Sequence, residues 1–306
     1  MPDTFYTASP HWGWYIVAYF FVGGIAGGCF FIASLLHLCG RPEDRPVVRL
    51  GYYVAFAGAV VSGVLLTLDL TKPLRFWHML IASNTGVPLL KPWSPMSVGA
   101  WGLLLFGAHA TLAAGGALAE DGRIRWRPLA GMVSGAPGMI VAALGSAFGF
   151  FLAGYTGVLL SVTSRPVWAD SNLLGALFLC SAASTGAATL VLLTRRRHDA
   201  HPATIAWLSQ FDRTALVLEL IVLTLFVASL GTVGRVFLGW WGAVLLGGVV
   251  GAGAILPLVL ESRRSHDQRT PVRAATLVLA GGLFLRMAVI FGSEQVRAVG
   301  SGVALP

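Results

Sequence analysis

Cysteine is scarce in this chain of 306 residues, which contains only Cys29, Cys39 and Cys180. These three residues are far apart in the sequence and show none of the short spacings that bind an iron–sulfur cluster or zinc. We expect them to pack as small apolar side chains, and we predict no iron–sulfur cluster or other metal site on this chain. If the protein handles electrons, a partner has to carry the metal centres.

Charged residues are also few. They make up 11% of the chain, whereas 56% of the residues are hydrophobic and the mean hydropathy is +0.76. This composition excludes an ordinary soluble domain and is typical of a polytopic membrane protein. The apolar runs are continuous and do not alternate with polar residues, which favours transmembrane helices over barrel strands.

Eight apolar runs reach the length of about 20 residues that a helix needs to cross a bilayer. We therefore predict an all-α integral membrane protein that forms a single transmembrane domain over residues 1–306. The eight predicted helices lie near residues 14–38, 50–69, 97–118, 134–160, 172–194, 214–233, 236–260 and 274–292. Glycine-rich stretches such as Gly23–Gly28 and Gly247–Gly253 are expected to let helix backbones pack closely.

The distribution of Lys and Arg predicts the orientation of these helices. Fourteen of these cations fall in the loops between helices 1 and 2, 3 and 4, 5 and 6, and 7 and 8, whereas six fall on the opposite side. The positive-inside rule then places both termini on the outer, periplasmic side. Because the net charge of +8 is divided among short loops, it forms no continuous basic face. We expect contact with lipid and no binding of nucleic acid.

Histidines that could bind haem are also few. Of the seven histidines, only His37 and His109 fall within predicted helices. The helical rise puts His37 close to the inner end of helix 1 and His109 about 14 Å above the inner end of helix 3. A haem held by two histidines needs them at matching depth, so we predict that this chain binds no haem.

Polar residues are concentrated between the second and third helices. The stretch Leu68–His78 contains Asp69, Lys72, Arg75 and His78 between two long apolar runs. The three basic side chains are expected to lie near the membrane surface, where they could face an acidic partner or lipid head groups. Just downstream, Ser94 followed by Pro95 is a typical start for helix 3, and Pro73 is expected to end helix 2.

Ionisable and tyrosine side chains within the helices suggest a site beneath this surface. An arginine at the centre of a membrane helix costs about 2.5–3.5 kcal/mol on insertion scales, so Arg286 is a functional candidate. The helical rise places Arg286 and Tyr155 about 9 Å below the outer surface and Tyr19 about 7–8 Å below it. Such a set could surround a quinone head group. Interfacial tyrosines and a snorkelling arginine are the alternative.

In a quinone site of this kind, Tyr19 and Tyr155 would donate hydrogen bonds to the two carbonyls, and Arg286 would stabilise negative charge. Asp69 would take or give a proton, and His78 lies on the same loop. Catalysis would then depend on Tyr155, Arg286 and Asp69.

Glu219 is a second ionisable group inside the bilayer. It lies about one and a half turns from the inner end of helix 6 by helical rise. With His37 near the same face, and with His109, it could form a proton path from the inside to the quinone level. An internal salt bridge between Glu219 and Arg213 is the alternative.

Several segments together resemble the NrfD/polysulfide reductase membrane-subunit family. The resemblance is strongest in Leu68–Leu80, with the sequence LDLTKPLRFWHML, and in Ser94–Trp101, with the sequence SPMSVGAW. Gly23–Gly28, Tyr155–Ser161 and Gly281–Arg286 look like further signatures of the family. The similarity covers most of the transmembrane body.

This resemblance implies an eight-helix, quinone-reactive anchor in the bacterial cytoplasmic membrane that acts as the quinone-oxidising or quinone-reducing subunit of an oxidoreductase complex. Electrons would pass between menaquinone or ubiquinone and a four-cluster ferredoxin-like iron–sulfur subunit on the outer face, often joined by a molybdopterin or multihaem catalytic subunit. Tyr155 matches the family's quinone-site tyrosine. Ile16 and Tyr19 stand where the polysulfide reductase branch carries asparagine and histidine, which makes the helix 1 half of the pocket different here.

The residues leave two competing functions open, of which a haem-bearing cytochrome subunit is the weaker and would show in a visible absorption spectrum. A proton- or ion-translocating or transporter subunit without redox chemistry would use Arg286, Glu219 and His109 as pathway residues. The terminal substrate, the type of quinone and the direction of electron transfer are not determined by the sequence.

Overall fold

The computed structural model describes residues 12–125, 127–195, 201–262 and 270–300. These residues form eight long helical segments, which we label α1 to α8: Trp14–Cys39, Arg45–Asp69, Pro95–Glu120, Gly135–Ser161, Leu174–Thr194, Pro202–Ser229, Trp240–Ser262 and Thr270–Gly300. Seven of them are long and apolar enough to cross a membrane, and α6 makes an eighth if its bent continuation is counted with it. An all-helical membrane protein is therefore confirmed, whereas the outer location of the termini remains a prediction.

The predicted and observed helix limits differ most at α6. The prediction began at residue 214, but the helix begins at Pro202 and ends at Ser229. Asp212 lies inside this helix and is buried, so a charge that the prediction assigned to a loop belongs to the helix interior. Gly231 then adopts a φ of +54°, which ends the helix, and the 3-10 segment Gly231–Leu238 leaves at an angle of 112°.

The eight helices pack as two groups of four, α1–α4 and α5–α8, with α1 and α4 against α5. Glycine makes these approaches possible, as predicted for Gly23–Gly28. A Cβ atom on Gly27 would lie 2.5 Å from the carbonyl oxygen of Gly149 on α4, and a Cβ atom on Gly28 would collide with the backbone of Ala182 on α5. Small residues therefore place α1 at the junction of the two groups.

Helix α7 differs from an ordinary transmembrane helix because its middle, Val244–Ile255, is π-helical. It packs along α8, and Gly253 of α7 lies directly against Gly281 of α8. Gly248 and Gly253 thus serve close packing against α8, as predicted, whereas Gly247 has nothing within 4 Å.

The polar segment between α2 and α3 is folded over one end of the first group. It contains the 3-10 turn Pro73–Met79 and a short hairpin in which Ala82 donates its N–H to the carbonyl oxygen of Val87. The predicted cap is present, because the N–H of Ser97 donates to the Ser94 side chain at 3.4 Å. We call Leu70–Trp93 the α2–α3 segment.

At the opposite end of the first group, side chains tie α2 to the end of α3. Arg49 forms an ion pair with Asp121, and the Tyr53 hydroxyl donates to the same carboxylate at 2.8 Å. Burial by itself would raise the pKa of Asp121, but the hydrogen bonds from Tyr53 and Arg49 outweigh it, so the pKa lies below its usual value. This cluster fixes the helix ends and takes no part in the site described next.

Candidate functional site

A cavity of about 770 Å³ opens beneath the α2–α3 segment, between α1, α2, α3 and α4. Most of its lining is apolar. On α3 the lining residues run from Met96 to Thr111, which corresponds to about 22 Å along the helix axis. The cavity is therefore a long groove that begins at the polar end of the bundle and extends far into the apolar region.

The α2–α3 segment forms the roof of this cavity. Phe76, Met79 and Leu80 of this segment line the cavity. Leu74 and Trp93 are 90% and 79% exposed, so the same segment presents apolar side chains on its other face. The segment therefore separates the cavity from the surroundings while offering a surface of its own.

Tyr155 on α4 lies at the polar end of the cavity. Its hydroxyl donates to the carbonyl oxygen of Pro95 at 2.5 Å, and Gly99 leaves the space that the ring occupies. Because a phenol has a single proton, the hydrogen of Tyr155 is committed to the start of α3. Its oxygen is still able to accept a hydrogen bond from a ligand.

Tyr19 on α1 and Asp69 at the end of α2 complete the polar part of the lining. Tyr19 is 2% exposed, and its hydroxyl makes no hydrogen bond with any residue that the structure describes. It lies close enough to Tyr155 for the two groups to interact electrostatically. Tyr19 and Tyr155, chosen by their depth along the helices, and Asp69, chosen as the acid of the polar loop, thus line one cavity.

The structure does not bring Arg286 into this cavity. The guanidinium is 0% exposed and lies between α1, α5 and α8. It donates to the carbonyl oxygens of Phe20 and Gly282 at 3.1 and 2.7 Å and to the Ser181 hydroxyl at 2.9 Å. The side chain lies on the far side of α1 from the cavity, so Arg286 does not line the cavity with Tyr19 and Tyr155 as predicted.

Glu219 on α6 belongs to the surroundings of Arg286. Its Oε2 accepts from the Ser184 hydroxyl at 3.0 Å, and Arg286 acts on it electrostatically. The alternative salt bridge to Arg213 does not occur among the described residues; the Arg213 guanidinium donates instead to the carbonyl oxygen of Glu261 at 3.2 Å. Glu219 and Arg286 are therefore linked through serines of α5.

The two histidines assigned to the proton path lie elsewhere. His37 Nδ1 is 2.7 Å from the Tyr52 hydroxyl and its Nε2 is 3.3 Å from Arg45, both on α2. His109 bonds to the carbonyl oxygen of Leu105 within α3. The hydrogen bonds of the described residues do not join either histidine to Glu219, so the proposed series is not continuous.

The basic residues of the α2–α3 segment do not line the cavity either. Lys72 and Arg75 are exposed, and His78 Nδ1 is 3.0 Å from the carbonyl oxygen of Arg75 while its ring stacks on Trp77. His78 therefore belongs to the roof of the cavity and does not line it. Lys72 and Arg75 are exposed and thus accessible to a partner.

Sequence reasoning missed two acids, the buried Asp212 and the half-buried Glu261. Both have a buried carboxylate oxygen without a hydrogen-bond partner among the described residues. They were missed because each stands beside arginines at the end of an apolar run, which is the ordinary pattern of a loop. The signal that could have found Asp212 is its spacing of seven residues from Glu219, since this spacing puts both acids on one face of α6.

A comparison with known proteins bears directly on this architecture. The family model described as Polysulphide reductase, NrfD matches residues 3–298. The chain belongs to this family. Protein NrfD of Escherichia coli (strain K12) is 27% identical over 97% of this chain and 99% of that protein. A polysulfide reductase polypeptide of Wolinella succinogenes is 26% identical over 92% of this chain and 94% of that protein.

A shorter match involves a selenate reductase subunit of Mesobacillus selenatarsenatis, which is 27% identical over 24% of this chain and 18% of that protein. The resemblance found in the sequence is thus confirmed at the level of the family. The NrfD family provides the membrane subunit of redox enzyme complexes, and this chain is a multi-pass membrane protein of that kind.

Proposed function

We propose that the cavity binds the head group of a membrane quinone and that this NrfD-family chain exchanges electrons between the quinone pool and a peripheral iron–sulfur subunit. The observation that carries the proposal is the cavity of about 770 Å³, whose apolar lining converges on Tyr19, Asp69 and Tyr155 at one end. Pockets with an apolar body and a few converging polar groups are the usual form of small-molecule sites.

The residues present fit such a ligand. The free hydroxyl of Tyr19 is placed to donate a hydrogen bond to a carbonyl, and Asp69 is placed to exchange a proton. The apolar groove between α2 and α3 continues for about 22 Å, which suits an isoprenoid tail. A bound quinone, either menaquinone or ubiquinone, would supply two-electron, two-proton chemistry.

The chain itself would position the head group, exclude water and move protons. Tyr19 would donate to one carbonyl of the quinone; Tyr155, whose proton is held by Pro95, would not donate as predicted but would accept from a hydroxyl of the quinol. The roof residues Phe76 and Met79 would exclude water from above. Asp69 stands where the cavity meets the polar end of the bundle, so it would carry the proton between the ligand and the surface. Arg286 would act through α1, since its Nε donates to the carbonyl oxygen of Phe20 beside Tyr19.

The α2–α3 segment is the proposed docking surface for the partner. Lys72 and Arg75 supply exposed positive charge, and Leu74 and Trp93 supply exposed apolar area next to them. An iron–sulfur subunit of ferredoxin type with an acidic face would complement this surface. In this arrangement its outermost cluster would stand above the cavity roof, and a molybdopterin or multihaem subunit would complete the complex in the cytoplasmic membrane.

Quinone binding is tested with the purified full chain in liposomes, titrated with a short-chain naphthoquinone and followed by quenching of tryptophan fluorescence. Tyr19→Phe and Asp69→Leu, which remove the polar groups at one end of the cavity, should each weaken binding about 2- to 10-fold, the effect of losing one hydrogen bond. Tyr15→Phe is the matched control, because Tyr15 is exposed and does not line the cavity. Unchanged affinity in both cavity variants would refute the assignment.

Docking is tested by co-purification of the chain from its native membrane. A ferredoxin-like iron–sulfur protein should accompany it, and Arg75→Ala should reduce the amount recovered, whereas Arg41→Ala at the opposite end should not. Full retention of the partner by Arg75→Ala at high salt would contradict an electrostatic docking role.

A proton-translocating subunit without redox chemistry is the second candidate, because the buried pair Arg286 and Glu219 is typical of ion pathways. Absence of any redox partner together with absence of quinone binding would favour it.

A further inference from the structure

Three acids lie inside the second group of helices, away from the cavity. Asp212 and Glu219 are 1% and 5% exposed and stand seven residues apart on α6, which is about 10.5 Å or two turns along one face. Glu261 stands near the end of α7 and is half-buried. Buried acids in a membrane protein are rarely retained without a role.

Of the three acids, Asp212 has the fewest interactions that could offset the cost of burying a negative charge. Its Oδ1 is buried without a hydrogen-bond partner, and no cation of the described chain lies within ion-pair distance of it. The charged groups that act on it are both acids, Glu261 on α7 and Glu219 on its own helix. The titratable group that α5 places in this region is Cys180, which lies close to Glu219. A buried carboxylate in such surroundings is stable only if it holds a proton.

Glu261, Asp212 and Glu219 form a row of acids, and the two ends of this row lie in different surroundings. At one end, the guanidinium of exposed Arg213 donates to the carbonyl oxygen of Glu261 and ties α6 to α7 near the solvent. Glu261 also has a buried oxygen, Oε2, without a hydrogen-bond partner among the described residues. The row is therefore open to the surface opposite the α2–α3 segment.

At the other end, Glu219 accepts from Ser184 at 3.0 Å, and Ser181, one turn away on α5, accepts from Arg286 at 2.9 Å. Arg286 in turn donates to the carbonyl oxygen of Phe20, and Phe20 lines the cavity. A series of polar contacts thus runs from Glu219 to the wall of the cavity.

We propose that Asp212 holds a proton in the core between α6 and α7, receives it from solvent through Glu261 and passes it to Glu219, so that the three acids form a proton relay that ends beside Arg286. Each transfer moves one proton from a carboxyl oxygen to the next carboxylate. Because Asp212 and Glu219 stand about 10.5 Å apart along α6, the transfer between them would require water molecules in the core. Only the use of the proton at the cavity rests on the proposed quinone function.

The test is infrared spectroscopy of the full chain in liposomes at neutral pH, with no quinone present. Wild type should show the carbonyl stretching band of a protonated carboxyl group. The frequency of this band should shift when H₂O is replaced by D₂O. D212N should lose this band. E261Q should keep it but exchange its proton for deuterium at least about tenfold more slowly, because the group that delivers the proton is gone. E43Q, which alters an exposed acid at the same end of the helices, should leave both the band and the exchange rate unchanged.

Three results would overturn the relay. A band that survives in D212N would mean that another group holds the proton. Exchange as fast in E261Q as in wild type would remove Glu261 from the path. Loss of the band in sodium chloride but not in choline chloride would show that the acids bind a metal cation in place of a proton. Equal thermal unfolding of D212N and wild type is the check that the variant is folded, and D212E, which restores a carboxyl group, should restore the band.

Failure of this proposal and failure of the quinone proposal are distinguishable, because the infrared assay contains no quinone and the quinone titration does not involve Asp212. D212N should bind the naphthoquinone as wild type does.

Discussion

Replacing Arg286 by methionine removes the buried cation but keeps a side chain of similar length. Three hydrogen bonds are lost, to Phe20, Ser181 and Gly282. Glu219 is left buried without the positive charge that acts on it. Removing one partner from a buried charge pair typically costs about 3–5 kcal/mol, so we expect the free energy of unfolding of Arg286→Met to fall by that amount.

The contribution of charge is separated from that of packing by a second substitution. Glu219→Gln removes the negative charge but keeps a group that can bond to Ser184, so the double variant with Arg286→Met no longer contains an uncompensated carboxylate. We expect it to recover about 1–3 kcal/mol relative to the sum of the two single effects.

The assay is reversible unfolding of the full chain in mixed micelles by increasing detergent denaturant, followed by helicity. Arg235→Met, on the exposed 3-10 segment, is the control and should change the free energy by less than about 0.5 kcal/mol. Additivity of the two single effects within about 0.5 kcal/mol would refute the inference that Arg286 compensates Glu219.

The remaining predictions concern the cavity and the helix ends. Gly99→Ala should push the Tyr155 ring into the cavity and weaken naphthoquinone binding in the fluorescence titration, whereas Gly247→Ala on α7, away from the cavity and with nothing within 4 Å of an added Cβ atom, should not. The lowered pKa of Asp121 means that its carboxylate stabilises the fold above the unfolded value near 4 and that this stabilisation is lost as the pH falls through the lower folded value. Acid unfolding curves should therefore show a smaller loss of stability between pH 6 and 3, roughly, for Asp121→Asn than for wild type. Ser94→Ala should lower the free energy of unfolding by about 1 kcal/mol through loss of the α3 cap, and Ser94→Asp should not.

Helix number and most helix limits follow from the sequence because the bilayer requires long apolar runs. Trp14–Cys39 and Gly135–Ser161 lie within a residue or so of their predicted limits, since charged or turn-forming residues follow the apolar run directly. The same rule fails at α6. There Asp212 and Arg213 interrupt the apolar pattern but belong to the helix, because one is buried against α7 and the other bonds to the Glu261 backbone.

Only one property of the candidate site could be predicted from the sequence, namely how deep each residue lies along its helix. Counting residues along a helix gives the depth of Tyr19, Tyr155 and Arg286, but it does not give the direction in which each side chain points. Tyr19 and Tyr155 face the cavity, whereas Arg286 faces the opposite side of α1. The signal for that arrangement is Gly24, where a Cβ atom would lie 2.9 Å from Arg286 Nη2, and no property of Gly24 alone reveals its partner.

Helix α1 is the wall that the cavity and the buried charges share. Successive residues of a helix point about 100° apart, so neighbouring positions on α1 serve different faces. Tyr19 presents its hydroxyl to the cavity, and the next residue, Phe20, gives its backbone carbonyl to Arg286. A change of charge at Glu219 acts on Arg286, and Arg286 is held to α1 one residue from the cavity tyrosine. The electrostatic effect of a proton that arrives at Glu219 would therefore reach the proposed quinone site through Arg286 and the backbone of α1, without any side chain of α5 to α8 entering the cavity.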